Sequence, residues 1–287
     1  MKLATYNVNG IASRLPNLLQ WLERESPDVV CLQELKATDF AFPSVPLKEA
    51  GYESIWHGER AWNGVAILAR GVKPIEVRRG LPGDAKDTQS RYLEAAVDGI
   101  LVACLYLPNG NPQPGPKFDY KLAWLDRLYQ HAQSLIDSGH PVALAGDFNV
   151  VPTDFDIYDP KHWRKDALLQ PRSREAYSKL LAQGWTDALR SKHPEEAVFT
   201  FWDYFRNHWT RNAGLRIDHV LLSPDLAKRL VHAEVDRWVR GEPHASDHAP
   251  VWVELKESGR TRKPKEPRPA ARGKIAKAKR TTRGGSK

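Results

Sequence analysis

The chain has 287 residues, of which 41% are apolar and 27% charged. That is enough to build a core and too polar for a membrane protein, since no apolar run approaches the roughly 18 residues a spanning helix needs. The net charge of +8 divides unevenly: residues 257–287 hold 12 Lys/Arg and 2 Asp/Glu, a net of +10, while residues 1–256 hold 31 and 33, a net of −2.

In chain order the pattern predicts a strand over 2–8, a helix over 14–25 with Leu15, Leu18, Leu19 and Leu22 on one face, and a strand over 28–33. Strands follow at 64–69, 92–98 and 100–107. The last two are split by Asp98-Gly99, a hairpin signal. A helix over 118–137 carries Leu122, Leu125, Leu128, Ala132 and Leu135 at helical spacing. A strand over 141–147 comes next, then a helix over 173–183 that stops at Gly184. Strands at 216–222, 232–238 and 250–255 complete the series. Hairpins mixed with strand–helix units predict an α/β fold of two packed sheets with helices on their outer faces. No internal repeat of fixed period is present.

Cys31 and Cys104 each lie inside an apolar run and read as buried free thiols. Two cysteines cannot make a disulfide framework or a Cys-ligated zinc site. The N-terminal Met-Lys-Leu-Ala-Thr-Tyr-Asn meets a polar residue too early for a signal peptide, which predicts a cytoplasmic protein. The sequence divides into a globular domain over 1–256 and a basic tail over 257–287. The tail has no aromatic residue and is rich in Pro, Gly, Lys and Arg, so it is predicted to be disordered. Its charge suits a nucleic-acid tether, the alternative being a solubilising segment.

The informative polar residues stand at the ends of apolar strands. They are Asn7 and Asn9 after the first, Glu34 after the second, and Tyr106 with Asn109 after 100–107. Asp147 and Asn149 end 141–147. Asp218 lies in Ile217-Asp218-His219, and Asp247 with His248 precedes the last strand. Singly, a carboxylate in such a place is more often a turn former or helix cap. Recurrence at five or six places points instead to a cluster over an apolar floor. Its hard oxygen donors suit Mg²⁺ or Mn²⁺ rather than zinc. Residues 199–209 add six aromatics in eleven positions. Most are predicted to be core, with Trp202 the choice for an exposed platform. Arg206 and Arg211 stand close enough to reach phosphates.

These motifs resemble the exodeoxyribonuclease III family of the endonuclease/exonuclease/phosphatase superfamily, over residues 1–256. The likeness rests on Thr5-Tyr6-Asn7-Val8-Asn9-Gly10, Cys31-Leu32-Gln33-Glu34, Asn63-Gly64-Val65-Ala66, Leu107-Pro108-Asn109-Gly110, Gly146-Asp147-Phe148-Asn149, Gly214-Leu215-Arg216-Ile217-Asp218 and Ser246-Asp247-His248. It implies a four-layer α/β sandwich and a Mg²⁺-dependent phosphodiesterase, with Mn²⁺ as the alternative ion. The implied partner is duplex DNA, cut 5′ to abasic sites or from 3′ ends, by a monomer. Glu34 would be the principal metal ligand, with Asn7 beside it and Asp247 joining directly or through water. Asp147, Asn149 and His248 are counted around the same ion. Asp147 would position or deprotonate the attacking water, or serve as leaving-group acid; Asn149 would donate to the phosphate or hold that water. Tyr106 and His248 would contact phosphate oxygens, Asp218 would fix the His248 tautomer, and Asn109 and Lys121 would touch the flanking backbone. Two other readings stay open at this point: another phosphoesterase of the superfamily, and an inactive DNA-binding scaffold.

Overall fold

Strands form where aliphatic residues run without a break, and helices where they recur every three to four positions. The computed structural model describes residues 1–257. From residue 258 on, the predicted basic tail lies outside the described residues. In order, the elements are β1 (Lys2–Asn7), α1 (Ile11–Glu25), β2 (Val29–Gln33), α2 (Ser44–Glu49), β3 (Tyr52–His57), β4 (Val65–Arg70), β5 (Ile75–Arg79), β6 (Tyr92–Val97), β7 (Ile100–Tyr106), α3 (Pro116–Asp137), β8 (Val142–Asp147), α4 (Pro160–Trp163), α5 (Pro171–Ala182), β9 (Thr186–Asp187), α6 (Ala188–Lys192), β10 (Asp218–Leu222), α7 (Pro224–Ala227), β11 (Leu230–Val235) and β12 (Val251–Leu255).

They build two six-stranded mixed sheets, ordered β11-β12-β1-β2-β4-β3 and β5-β6-β7-β8-β10-β9. Cys31, Ile67, Leu93, Val102, Cys104, Ala145, Val220 and Val253 fill the space between them. On one outer face Leu18, Trp21 and Leu22 of α1 cover Ala4, Val30 and Leu32. On the other, Trp124, Leu125 and Leu128 of α3 and Tyr177 of α5 cover Ala103 and Leu144. The result is the four-layer sandwich read from the sequence. Central strands such as β8 are buried on both faces, which is why they appear as continuous apolar runs rather than alternating ones. Both cysteines are buried and free. Among the described residues no helix is long and apolar enough to cross a membrane.

The predicted strands are present with shifted ends, and three were missed. β5 is exposed at every position and β9 has two residues, so neither carries an apolar signal. β3 is an edge strand whose Glu53 and Ser54 dilute its alternation. The 232–238 strand is displaced to 230–235, because Asp236 accepts from the indoles of Trp21 and Trp252 and turns the chain. The Asp98-Gly99 hairpin forms as predicted: both residues take left-handed φ, 47° and 80°, between paired Val97 and Ile100.

A buried ionic network braces the segments that lead into the strand ends. Arg216, 1% exposed, donates to Asp156 Oδ1 and Asp187 Oδ2, each at 2.6 Å. Arg190 also donates to Asp156, at 2.5 Å, and Tyr177 donates to Asp187 at 3.0 Å. His219 lies 3.0 Å from Arg216 and donates from Nε2 to the Val150 carbonyl at 3.0 Å. One-sided removal of a buried charge of this kind costs about 3–5 kcal/mol. Burial, reinforced by the Arg216 charge, pushes His219 down to about 4. An unfolded histidine titrates near about 6.5. Between those values the unfolded chain binds more protons, so this contribution is present above the upper value and is lost as pH falls through the window. Urea unfolding at pH 4.5 and 7 should therefore show the wild type gaining more stability with pH than His219→Gln. Equal gains would contradict the assignment.

Candidate active site

Strand register gathers the site. β1 and β2 run parallel with Asn7 opposite Gln33, and β7 and β8 run parallel with Tyr106 opposite Asp147. Their C-terminal ends therefore coincide within each sheet. β10 is antiparallel to β8 and brings its first residue, Asp218, opposite Asp147. β12 is antiparallel to β1, so the segment just before it, with His248, arrives at the same edge. Gly146 is required here: a Cβ would stand 1.9 Å from the Leu105 carbonyl oxygen. Glu34 and Asn149 both turn away from their strands with left-handed φ, 51° and 47°. Such strain persists where the surrounding structure over-determines it.

The side chains meet across the sandwich. Asn7 Nδ2 donates to Glu34 Oε1 at 2.9 Å and to Asp147 Oδ2 at 3.0 Å, drawing together carboxylates from the two sheets. Tyr106 donates its hydroxyl to Glu34 Oε1 at 2.8 Å. The Asn149 backbone N–H donates to Asp147 Oδ1 at 2.8 Å, and the Asn149 carboxamide donates to Leu107 O while accepting from Asn109. His248 Nδ1 donates to Asp218 Oδ2 at 2.8 Å, and Thr200 donates to the same oxygen at 2.6 Å. His248 Nε2 stands 3.9 Å from Asp147 Oδ2, outside hydrogen-bond range. Phe201 packs on the imidazole, ring centroids 4.9 Å apart.

Burial and the nearby Asp218 and Glu34 charges push the Asp147 carboxyl up. Burial also acts upward on Glu34, but the Asn7 hydrogen bond and the Lys36 ammonium outweigh it and hold this carboxyl below its ordinary value. Burial acts downward on His248, and the Asp218 charge and hydrogen bond reverse it, lifting the imidazole to about 10. His248 is therefore an imidazolium at neutral pH, with Nδ1–H on Asp218 and Nε2–H facing the gap. Burial and the adjacent carboxylates keep Tyr106 a neutral donor. Glu34, Asp147 and His248 bring polar side-chain atoms within 4.8 Å of one another; the two carboxylates offer ligand atoms, whereas His248 as an imidazolium offers only donors. Two crowded carboxylates with no sulfur donor fit a hard divalent cation, which would relieve the repulsion that raises Asp147.

Several expected roles need correction. Asn7 presents its amide nitrogen to the carboxylates while its oxygen accepts from Asn9 N, so it bridges the two acids. Asp247 is outside the three-residue cluster and accepts from Asn9 Nδ2 at 2.9 Å. Lys121 is fully buried, its amine donating to the Asn109 and Asn149 carbonyls at 3.0 and 2.5 Å. It shapes that loop and is out of reach of a flanking backbone. Trp202 is also fully buried, edge-on to Trp209 and donating to Asn212, so it presents no face to a ligand. Asn109, Arg206 and Arg211 are exposed.

The exposed aromatics near the site are others. Tyr204 donates to the Ala245 carbonyl beside the His248 loop, and Phe205 next to it is 74% exposed. Trp62, 77% exposed, lies 6.0 Å from Lys36, which pairs with Glu34 at 2.9 Å. Lys36 and Thr200 were also missed. Lys36 follows Glu34 by two residues and could have been flagged as its counter-charge; Thr200 carried no signal, because its partner Asp218 is 18 residues away.

A two-sheet sandwich with acids, an imidazolium and a cation site along one edge defines a metal-dependent phosphoester hydrolase. The model of the endonuclease/exonuclease/phosphatase family matches residues 4–248, and the chain belongs to that family. Exodeoxyribonuclease III of Haemophilus influenzae is 34% identical, over 89% of this chain and all of its own. An AP endonuclease from Archaeoglobus fulgidus superposes with TM-score 0.86 at 36% identity, over 90% of this chain and 100% of that one. The 3′-phosphatase NExo from Neisseria, solved with product DNA hairpin, gives 0.86 at 39% identity over the same shares. The resemblance read from the motifs is thus borne out.

Truncating a ligand should show directly in cation binding. Calorimetry with MnCl₂ should find Glu34→Ala weaker by at least about tenfold, on the scale seen when a metal's supporting groups are lost. Unchanged affinity would remove Glu34 from the cation site.

Proposed function

We propose that this chain is a DNA-repair nuclease. It hydrolyses duplex DNA on the 5′ side of abasic sites and from 3′ ends, and removes 3′-phosphates at the same site. It acts as a monomer with Mg²⁺, Mn²⁺ being able to replace it. The observation that carries this reading is the 3.9 Å gap between His248 Nε2 and Asp147 Oδ2, flanked by Glu34. An oxygen seated beside this pair, off the line joining them, can lie within hydrogen-bond reach of both the cationic donor and the carboxylate.

A divalent cation at Glu34 and Asp147 would supply charge relief to the phosphoryl oxygens. The other work falls to the chain. His248, cationic and fixed by Asp218, donates from Nε2 to a non-bridging oxygen as charge develops there. Asp147, with Oδ1 fixed by the Asn149 N–H, orients the water and takes its proton. Tyr106 donates beside it, and Asn149 holds the loop that carries Asn109 to the strand backbone. Phe205 and Trp62 replace Trp202 as the aromatic surfaces for bases or sugars, each worth about 1–3 kcal/mol by truncation. The 12 Lys/Arg of the tail supply sequence-independent attraction to phosphate.

Asp147→Asn and His248→Ala should each lower kcat at least about 100-fold. The assay compares an abasic duplex, a recessed 3′ end, a 3′-phosphate nick and inositol phosphates. Near-full turnover by Asp147→Asn would discard the mechanism, and preference for inositol phosphates would discard the substrate.

A further inference from the structure

One cation already stands on the acidic edge of the sandwich, and the chain itself supplies it. The Lys36 ammonium lies 2.9 Å from Glu34 Oε2 and is the one ion-pair partner of this carboxylate among the described residues. Glu34 Oε1 is filled by neutral donors, the Asn7 amide at 2.9 Å and the Tyr106 hydroxyl at 2.8 Å. The backbone fixes the meeting of acid and ammonium. Glu34 and Lys36 both take left-handed φ, 51° and 50°. The segment is clamped from two sides. The Leu35 and Lys36 N–H groups donate to the Gly64 and Asn63 carbonyls at 3.2 and 2.9 Å, and the Glu34 and Leu35 carbonyls accept from the Gly10 and Ile11 N–H groups at 2.8 and 3.0 Å. Two strained residues so close together persist where their neighbours over-determine them.

The ammonium also has a second place to rest. It donates to Asn9 Oδ1 while it pairs with Glu34. Asn9 keeps that oxygen towards Lys36 because its own Nδ2 donates to Asp247 Oδ1 at 2.9 Å. The exposed Trp62 ring lies 6.0 Å from the ammonium, at the limit of a cation–π contact. Lysine is a compact charge on a flexible stem, and this one is partly exposed, so it can leave Glu34 without opening the core. Asn7 has no such freedom: it is fully buried and donates to both acids.

We propose that Lys36 is a built-in stand-in for the divalent ion: it neutralises Glu34 in the ion-free protein and gives up Glu34 Oε2 when an ion binds, withdrawing to Asn9 and the Trp62 face. Lys36 is a positioning residue that acts through Glu34. The inference rests on the cation site described above and deepens it. An ammonium and a divalent ion on one carboxylate repel each other, so the two compete. Lys36 therefore lowers the affinity of the site for the ion, and it holds the acid in position before loading.

The test uses the full chain at a single pH. Lys36→Gln is compared with wild type and with Lys228→Gln, which removes an equal charge paired elsewhere with Asp225. In EDTA, Lys36→Gln should melt below the wild type, and in saturating MgCl₂ that deficit should shrink or vanish. Calorimetry with MnCl₂ should find Lys36→Gln tighter by at least about threefold, the scale of a partly exposed ion pair, with Lys228→Gln unchanged. In the wild type, ¹⁵N NMR of the lysine ammonium groups should show the Lys36 signal displaced from the free-lysine position in EDTA and moved by MgCl₂. A Lys36 signal that MgCl₂ leaves unmoved overturns the proposal. So does Mn²⁺ affinity that is unchanged or weaker in Lys36→Gln, or a melting deficit equal in EDTA and MgCl₂, because Lys36 then serves the loaded site as well. Equal tightening in Lys228→Gln reduces the effect to net charge and overturns it too. The Glu34→Ala calorimetry separates the two claims. Affinity unchanged by Glu34→Ala sinks the cation site and this inference together, whereas lost affinity with an unmoved Lys36 sinks this inference alone.

Discussion

Carboxylates from two different sheets are held close together in a buried place, and the rest of the site follows from that. Glu34 ends a strand of one sheet and Asp147 a strand of the other, and Asn7 donates one amide group to both. Without compensation such a pair would repel and take up a proton. Three devices oppose this: the Asn7 bridge, the Lys36 ammonium on Glu34, and the His248 imidazolium facing Asp147. None neutralises Asp147 fully, which is why its carboxyl remains raised. The residual need for positive charge is what a cation and a substrate proton would answer. Affinity for the reacting groups is therefore built into the electrostatics of the fold itself.

That placement depends on scaffolding outside the site. Thr200 fixes Asp218, which fixes His248, and Ser246 donates to the Asn7 carbonyl at 2.7 Å, tying the His248 loop to β1. Behind Asp218 and Asn149, the Arg216–Asp156–Asp187–His219 network pins both segments through His219 and Val150. Paired, hydrogen-bonded charges of this kind hold a geometry more than they add stability.

Much of this was legible in the sequence, for a physical reason. Strands buried on both faces must be apolar throughout, so β1, β2, β7 and β8 stood out, and the polar residue at each end stood out against them. Parallel pairing then carries Asn7 with Glu34, and Tyr106 with Asp147, to a common edge within each sheet. Side-chain direction was not legible. Nothing in the sequence distinguishes an aromatic that faces inward, such as Trp202, from one that faces outward, such as Phe205, when both lie in one loop. Nor does it show that the Lys121 amine turns inward to satisfy two carbonyls. Exposed or very short strands such as β5 and β9 were missed because pairing alone defines them.

The central claim is that a divalent ion is gripped between the two sheets at Glu34 and Asp147. Anomalous diffraction from a crystal equilibrated with Mn²⁺ tests it most directly. A peak within coordination distance of both carboxylates is the predicted result. A peak elsewhere, with Lys36 still seated on Glu34 and no density between the two acids, would contradict it.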